Sequence, residues 1–110
     1  MIEILIVRDQ MGHITEFTIT GHAGYDDLGK DIVCAGVSAI SGAAIIGMER
    51  LLEIEPSIKV EKGYLKCILP DNISEGNAEG ARIIVETMAL GLKDISDKYK
   101  KFVKVLDKEV

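Results

Sequence analysis

A chain of 110 residues fits one domain, residues 1–110, and is long enough to bury roughly two-thirds of its unfolded surface without a disulfide or metal staple. Its 47% hydrophobic and 28% charged residues mark a globular chain, and a net charge of −5 argues against a nucleic-acid binder while leaving a basic partner open. A mean hydropathy of +0.20 is high for so small a soluble chain and points to apolar surface hidden in an oligomer.

Residues 2 to 8 (IEILIVR) are rich in β-branched side chains, and a turn at Asp9 to Gly12 separates them from a second strand-like run, 14 to 20 (ITEFTIT). The pair reads as a hairpin, with His13 an exposed residue beside its turn. The second strand delivers the chain to Gly21, His22 and Ala23, then to a loop carrying Gly24 and Gly29 that ends at Asp31, a helix-start residue. The loop from Ala23 to Lys30 shows no pattern of regular structure, so it is expected to make few contacts and to order over a bound peptide.

From about 31 to 54 the pattern is helical. The first half is small and apolar, with Gly36, Ser38, Ser41, Gly42 and Gly47 among Ile, Val and Ala, and charge returns only at Glu49. A helix apolar nearly all round is expected to be buried on several sides, its glycines matched by close packing to a strand layer or a second subunit. The uncharged run from Ile32 to Met48 is shorter than a membrane span. Residues 57 to 61 and 64 to 69 form a second hairpin about Glu61-Lys62-Gly63, with Leu65, Cys67 and Leu69 on its core face. Ser74 opens a long helix to about Lys98 with an apolar stripe (Ala78, Ala81, Val85, Met88, Leu92, Ile95, Tyr99), and Phe102 to Leu106 reads as a last strand. The order ββαββαβ gives an α+β domain: a largely antiparallel sheet with two long helices.

The chemistry concentrates at His22 and Cys34. If Asp31 is the N-cap, Cys34 is the third helical residue, where the positive end of the helix dipole favours a thiolate. His22 would share the thiol proton, and the backbone N–H groups of the first turn, that of Cys34 included, would serve an oxyanion. Asp31 can act as cap or as a third member orienting His22, and the cap is the favoured role. Ser38 lies one turn past Cys34 on the same face, near the thiol or merely as a small packing residue. Cys67 reads as a buried structural thiol. No zinc-type ligand spacing and no phosphate loop is visible, so neither metal nor cofactor is expected. Two cysteines with no basic-then-apolar amino terminus suit a reducing, cytoplasmic setting. A cysteine protease, a thiol-dependent acyl or sulfur transferase, and a non-catalytic dimeric interaction domain all remain open on these residues.

The run Gly21-His22-Ala23, the Gly-bearing loop and Asp31-Ile32-Val33-Cys34-Ala35-Gly36 resemble the Prp family of ribosomal-processing cysteine proteases. That resemblance implies Cys34 as nucleophile and His22 as its partner; Gly21, Ala23, Gly24, Gly29, Asp31 and Ser38 are the supporting loop, cap and first-turn positions of the residue reading. It further implies a homodimer with a mobile loop over the site. The implied substrate is the N-terminal extension of large-subunit ribosomal protein number twenty-seven.

Overall fold

A computed structural model of the chain describes residues 1–27 and 30–110; Leu28 and Gly29, the latter a supporting position in the sequence reading, lie outside the described residues. The elements follow the expected order: β1 (Ile2–Arg8), β2 (Ile14–Thr20), α1 (Ile32–Leu51), β3 (Ser57–Glu61), β4 (Tyr64–Ile68), α2 (Glu75–Lys98) and β5 (Val103–Glu109).

The five strands form one sheet in the order β3-β4-β2-β1-β5. Three neighbouring pairs are antiparallel, and β5 alone lies parallel, against β1 from Ile2–Val103 to Arg8–Glu109. The period of two sets the faces. Ile2, Ile4, Ile6, Phe17 and Cys67 are buried under the helices, while Leu5, Thr18 and Lys66 share the opposite face in register. The α+β class holds with a mixed sheet. β5 runs past the expected end at Leu106, because Asp107 turns inward to a cation rather than to solvent.

That cation is Arg8. Its guanidinium donates to both carboxylate oxygens of Asp107 (2.8 and 3.0 Å), to both of Glu86 on α2 (2.6 and 3.0 Å) and to the Gly12 carbonyl (2.9 Å). Lys93 adds a bond to Asp107 at 2.7 Å. The Asp107 and Glu86 hydrogen bonds hold Arg8 charged, and the Arg8 and Lys93 bonds hold the Asp107 carboxyl below its usual range against the opposing effect of burial. Forked donation of this kind fixes angle as well as distance, so the first strand, the last strand and α2 are locked together.

The helices run antiparallel, meeting at Gly36–Ile95, Gly47–Ile84, Ile40–Gly91 and Leu52–Gly80. An added Cβ at Gly91 would sit 3.2 Å from Ile40, so glycine lets the two axes approach. The close partner of Gly36 and Gly47 is therefore α2. Only one stripe of α1 is buried (Val33, Val37, Ser41, Ala44, Met48), which corrects the expectation of burial on several sides; Ile32 and Ile46 face solvent. The helix also stops at Leu51 rather than near 54. Glu53 takes a positive φ of 54°, and the Ile54 N–H returns to the Met48 carbonyl at 3.0 Å as Ile54 tucks into the core. In α2 the stripe holds from Ala81 to Leu92 with Ala89 added, and Ala78 is exposed.

Candidate active site

The site forms where β2 ends beside the β3–β4 turn and the start of α1. Gly21 leaves the sheet at φ +87°, and its N–H donates to the Gly63 carbonyl at 2.8 Å. A Cβ there would collide with the Met1 carbonyl oxygen, so only glycine passes. His22 is exposed, its imidazole lying against Gly63. Ala23 is buried, and its N–H donates to the Cys34 sulfur at 3.3 Å. Gly24 turns at φ +70° with open space around it.

Asp31 carries the corner. Its Oδ1 accepts from the N–H groups of Val33 and Cys34, both at 3.0 Å, and its Oδ2 from Tyr25 at 3.0 Å and Asp26 at 3.3 Å. Burial pushes this carboxyl up, but the amides of Cys34, Asp26, Tyr25 and Val33 together outweigh it and leave the pKa below the ordinary value. Asp31 is thus an N-cap that also ties the loop to the helix, and both oxygens face amides rather than His22. The same bonds correct the oxyanion expectation: the Cys34 N–H is already taken, and the Ala35 N–H goes to the Asp31 carbonyl at 3.0 Å.

The loop's described part is better anchored than its composition suggests. The Tyr25 ring meets Tyr99 and Phe102 edge-on, with centroids 5.6 and 5.2 Å apart, and the Lys30 N–H reaches the Asp27 carbonyl at 2.9 Å. Few contacts were expected because the partners, Tyr99 and Phe102, lie over seventy residues away in sequence.

Cys34 is half-buried in the first turn of α1, at a groove of about 390 Å³ that it shares with His22. One wall is α1, through Val37, Ser38, Gly42 and Ile45; the other is the sheet, through Ile19, Val60 and Leu65. Ser38 stands on the exposed rim one turn from Cys34. The groove brings together His22, Cys34, Gly21 and Ser38, with Ala23 and Asp31 directly behind. Gly63, Val60 and Leu65 were not singled out as site residues, since only the strand order brings the second hairpin beside β2. Cys67 is fully buried, and burial followed by the charge of Glu49 pushes its thiol up to about 12. His13 is at the far end of the strands, 4.0 Å from Asp9. No metal-binding cluster occurs among the described residues.

The fold and the sequence both have known relatives. The family model described as cysteine protease Prp matches residues 1–104. A relative from Bacillus subtilis (strain 168), named ribosomal processing cysteine protease Prp, is 31% identical over 102 residues, covering 91% of each chain. The crystal structure of an essential ribosomal processing protease Prp from S. aureus with a covalently linked product peptide matches at a TM-score of 0.89 and 28% identity, covering 98% of this chain and all of that one. The same S. aureus protease with a substrate peptide matches at a TM-score of 0.83 and 27% identity, covering 98% of this chain and 100% of that one. The chain belongs to the Prp family and is a cysteine protease.

Proposed function

We propose that the chain is a cytoplasmic processing endopeptidase that removes the N-terminal extension of large-subunit ribosomal protein number twenty-seven, with Cys34 and His22 as its catalytic dyad. The carrying observation is the Cys34 sulfur in the first turn of α1, on a groove shared with His22. Similarity to proteases named for ribosomal processing, one solved with substrate and product peptides, supports the substrate class.

The thiolate attacks the scissile carbonyl carbon, and the C=O electron pair moves to oxygen. The tetrahedral adduct collapses as the C–N bond breaks, with His22 giving its proton to the leaving amine. Water, deprotonated by His22, then attacks the thioester, releasing the carboxylic acid and restoring the thiolate–imidazolium pair. No metal or cofactor enters this scheme. The apolar walls at Ile19, Ile45, Val60 and Leu65 suit an extended peptide lying along α1.

Two copies per active particle complete the reading. Ile32, Ile46, Ile83 and Leu90 are 57%, 48%, 57% and 67% exposed on the helical layer, more apolar surface than a lone domain needs to show. Sedimentation should give about twice the 12.0 kDa chain mass, and a clean monomer would remove the dimer.

The test of function is incubation with synthetic peptides spanning the extension, read by mass spectrometry. One internal cut is expected, and Cys34→Ala or His22→Ala should lower it at least about 1,000-fold. Cleavage that survives Cys34→Ala would sink the dyad; an uncut extension would sink the substrate.

A further inference from the structure

We infer that the main-chain N–H of Ala23 is a catalytic group, a donor to the oxyanion formed when Cys34 attacks the peptide. The inference rests on the protease reading and names an atom that reading leaves open.

The amides expected to do this work are committed elsewhere. Those of Val33 and Cys34 sit on Asp31 Oδ1 at 3.0 Å each, and that of Ala35 on the Asp31 carbonyl at 3.0 Å. The Ala23 N–H is directed at the nucleophile itself, 3.3 Å from Sγ. When Sγ bonds the scissile carbon, the carbonyl oxygen becomes a substituent of the atom next to sulfur, within reach of a donor already aimed there. The electron pair that leaves the C=O π bond is then met by a fixed dipole instead of by water that must reorient.

The donor is also held in place. On one side the Gly21 N–H is bonded to the Gly63 carbonyl at 2.8 Å; on the other the Tyr25 N–H is bonded to Asp31 Oδ2 at 3.0 Å. Ala23 itself is 4% exposed, so bulk water does not compete for its N–H. His22 is the preceding residue, so one pinned segment carries both the base and the donor. Before attack the same N–H donates to Sγ; after attack it passes to the oxyanion.

Cys34 offers a ligation junction for the test. A synthetic thioester of residues 1–33, in which the alanine analogue lactate at position 23 replaces the N–H with an ester oxygen, is joined to residues 34–110. An all-amide protein made the same way is the control. The ester protein should lose about a hundredfold or more in kcat. Its Cys34 should still be alkylated by iodoacetamide at a rate close to the control's, because that reaction forms no oxyanion, which separates oxyanion stabilisation from damage to the nucleophile. A kcat within threefold of the control overturns the inference alone. A control that cuts no peptide overturns the protease reading and the inference with it. If the ester protein does not fold, the uniformly 15N-labelled natural protein decides with a peptide aldehyde, whose hemithioacetal oxygen mimics the adduct. A downfield shift of the Ala23 amide proton on binding supports the assignment, and an unmoved resonance overturns it.

Discussion

A methyl group added to Gly63 would lie 3.1 Å from Nε2 of His22. Gly63 closes the two-residue turn between β3 and β4 at φ +69°, where its missing side chain leaves the imidazole its place beside the groove. Residues remote in sequence thus set the position of His22.

Gly63→Ala should therefore damage chemistry more than stability. The left-handed backbone costs alanine about 1–2 kcal/mol wherever it occurs. Gly12→Ala, at φ +83° in the β1–β2 turn with only the Glu109 side chain near, bears the same backbone cost away from His22. Both variants should lose similar Tm, while Gly63→Ala alone should lose about tenfold or more in kcat. Equal activity in the two would refute a role for Gly63 in placing His22.

The two cysteines should separate by reactivity. Iodoacetamide at pH 8 should add one label to native protein, on Cys34, and two in urea, because Cys67 is fully buried with its thiol pushed up to about 12. Cys67→Ser should keep the protease active yet cost about 1–3 kcal/mol by burying a hydroxyl. Peptide mapping finds the labelled residue, and a native label on Cys67 would contradict its burial.

Acid should loosen the fold through two carboxylates. Asp31 and Asp107 both have folded pKa values below the ordinary 3.8, so the unfolded chain takes up their protons first. Their stabilisation is complete above that value and disappears as pH falls through the lowered folded values. Urea midpoints should stay level from pH 7 to about 5 and drop steeply below about 4. Asp31→Asn or Asp107→Asn should lower the midpoint at pH 7 and flatten the acid limb; an unchanged limb in both would show that other groups govern it.

Gly42→Leu should not overpack the fold, although the small-sided run of α1 suggests it would. An added Cβ at Gly42 meets nothing within 4 Å, and the position lines the groove. Leucine should hold or raise Tm, since glycine in a helix interior costs up to about 1 kcal/mol. It should also raise KM by projecting into the groove. A fall in Tm of several degrees would mean that Gly42 is packed after all.

How far the sequence carried depends on how local each feature is. β-Branched runs in 2–8 and 14–20, alternation in 64–69 and the cap residue Asp31 marked the strands and the helix start, because those signals lie within a few residues of what they determine. Strand order joins distant segments, so Gly63 against His22 and Tyr25 against Tyr99 had no local trace. The second pair of bonds on Asp31 escaped for a related reason: a cap predicts the Val33 and Cys34 amides, but not a loop folding back onto the other oxygen. The one-sided burial of α1 could not be read from a helix whose exposed positions from Ile32 to Ile46 carry no charge.

The clamp at Arg8 puts a timetable on the fold. Asp107 is 99 residues away from Arg8, and closing a loop of that length costs roughly 4 kcal/mol in chain entropy. Until the end of the chain is available, β1 has β2 on one flank and open hydrogen-bonding groups on the other, next to the strand that leads to His22. A growing chain can build the hairpin and α1 early, but it cannot seal the sheet beside them. The protease should therefore become active only after the last strand is in place, and chains cut before Val103 should stick to one another along β1.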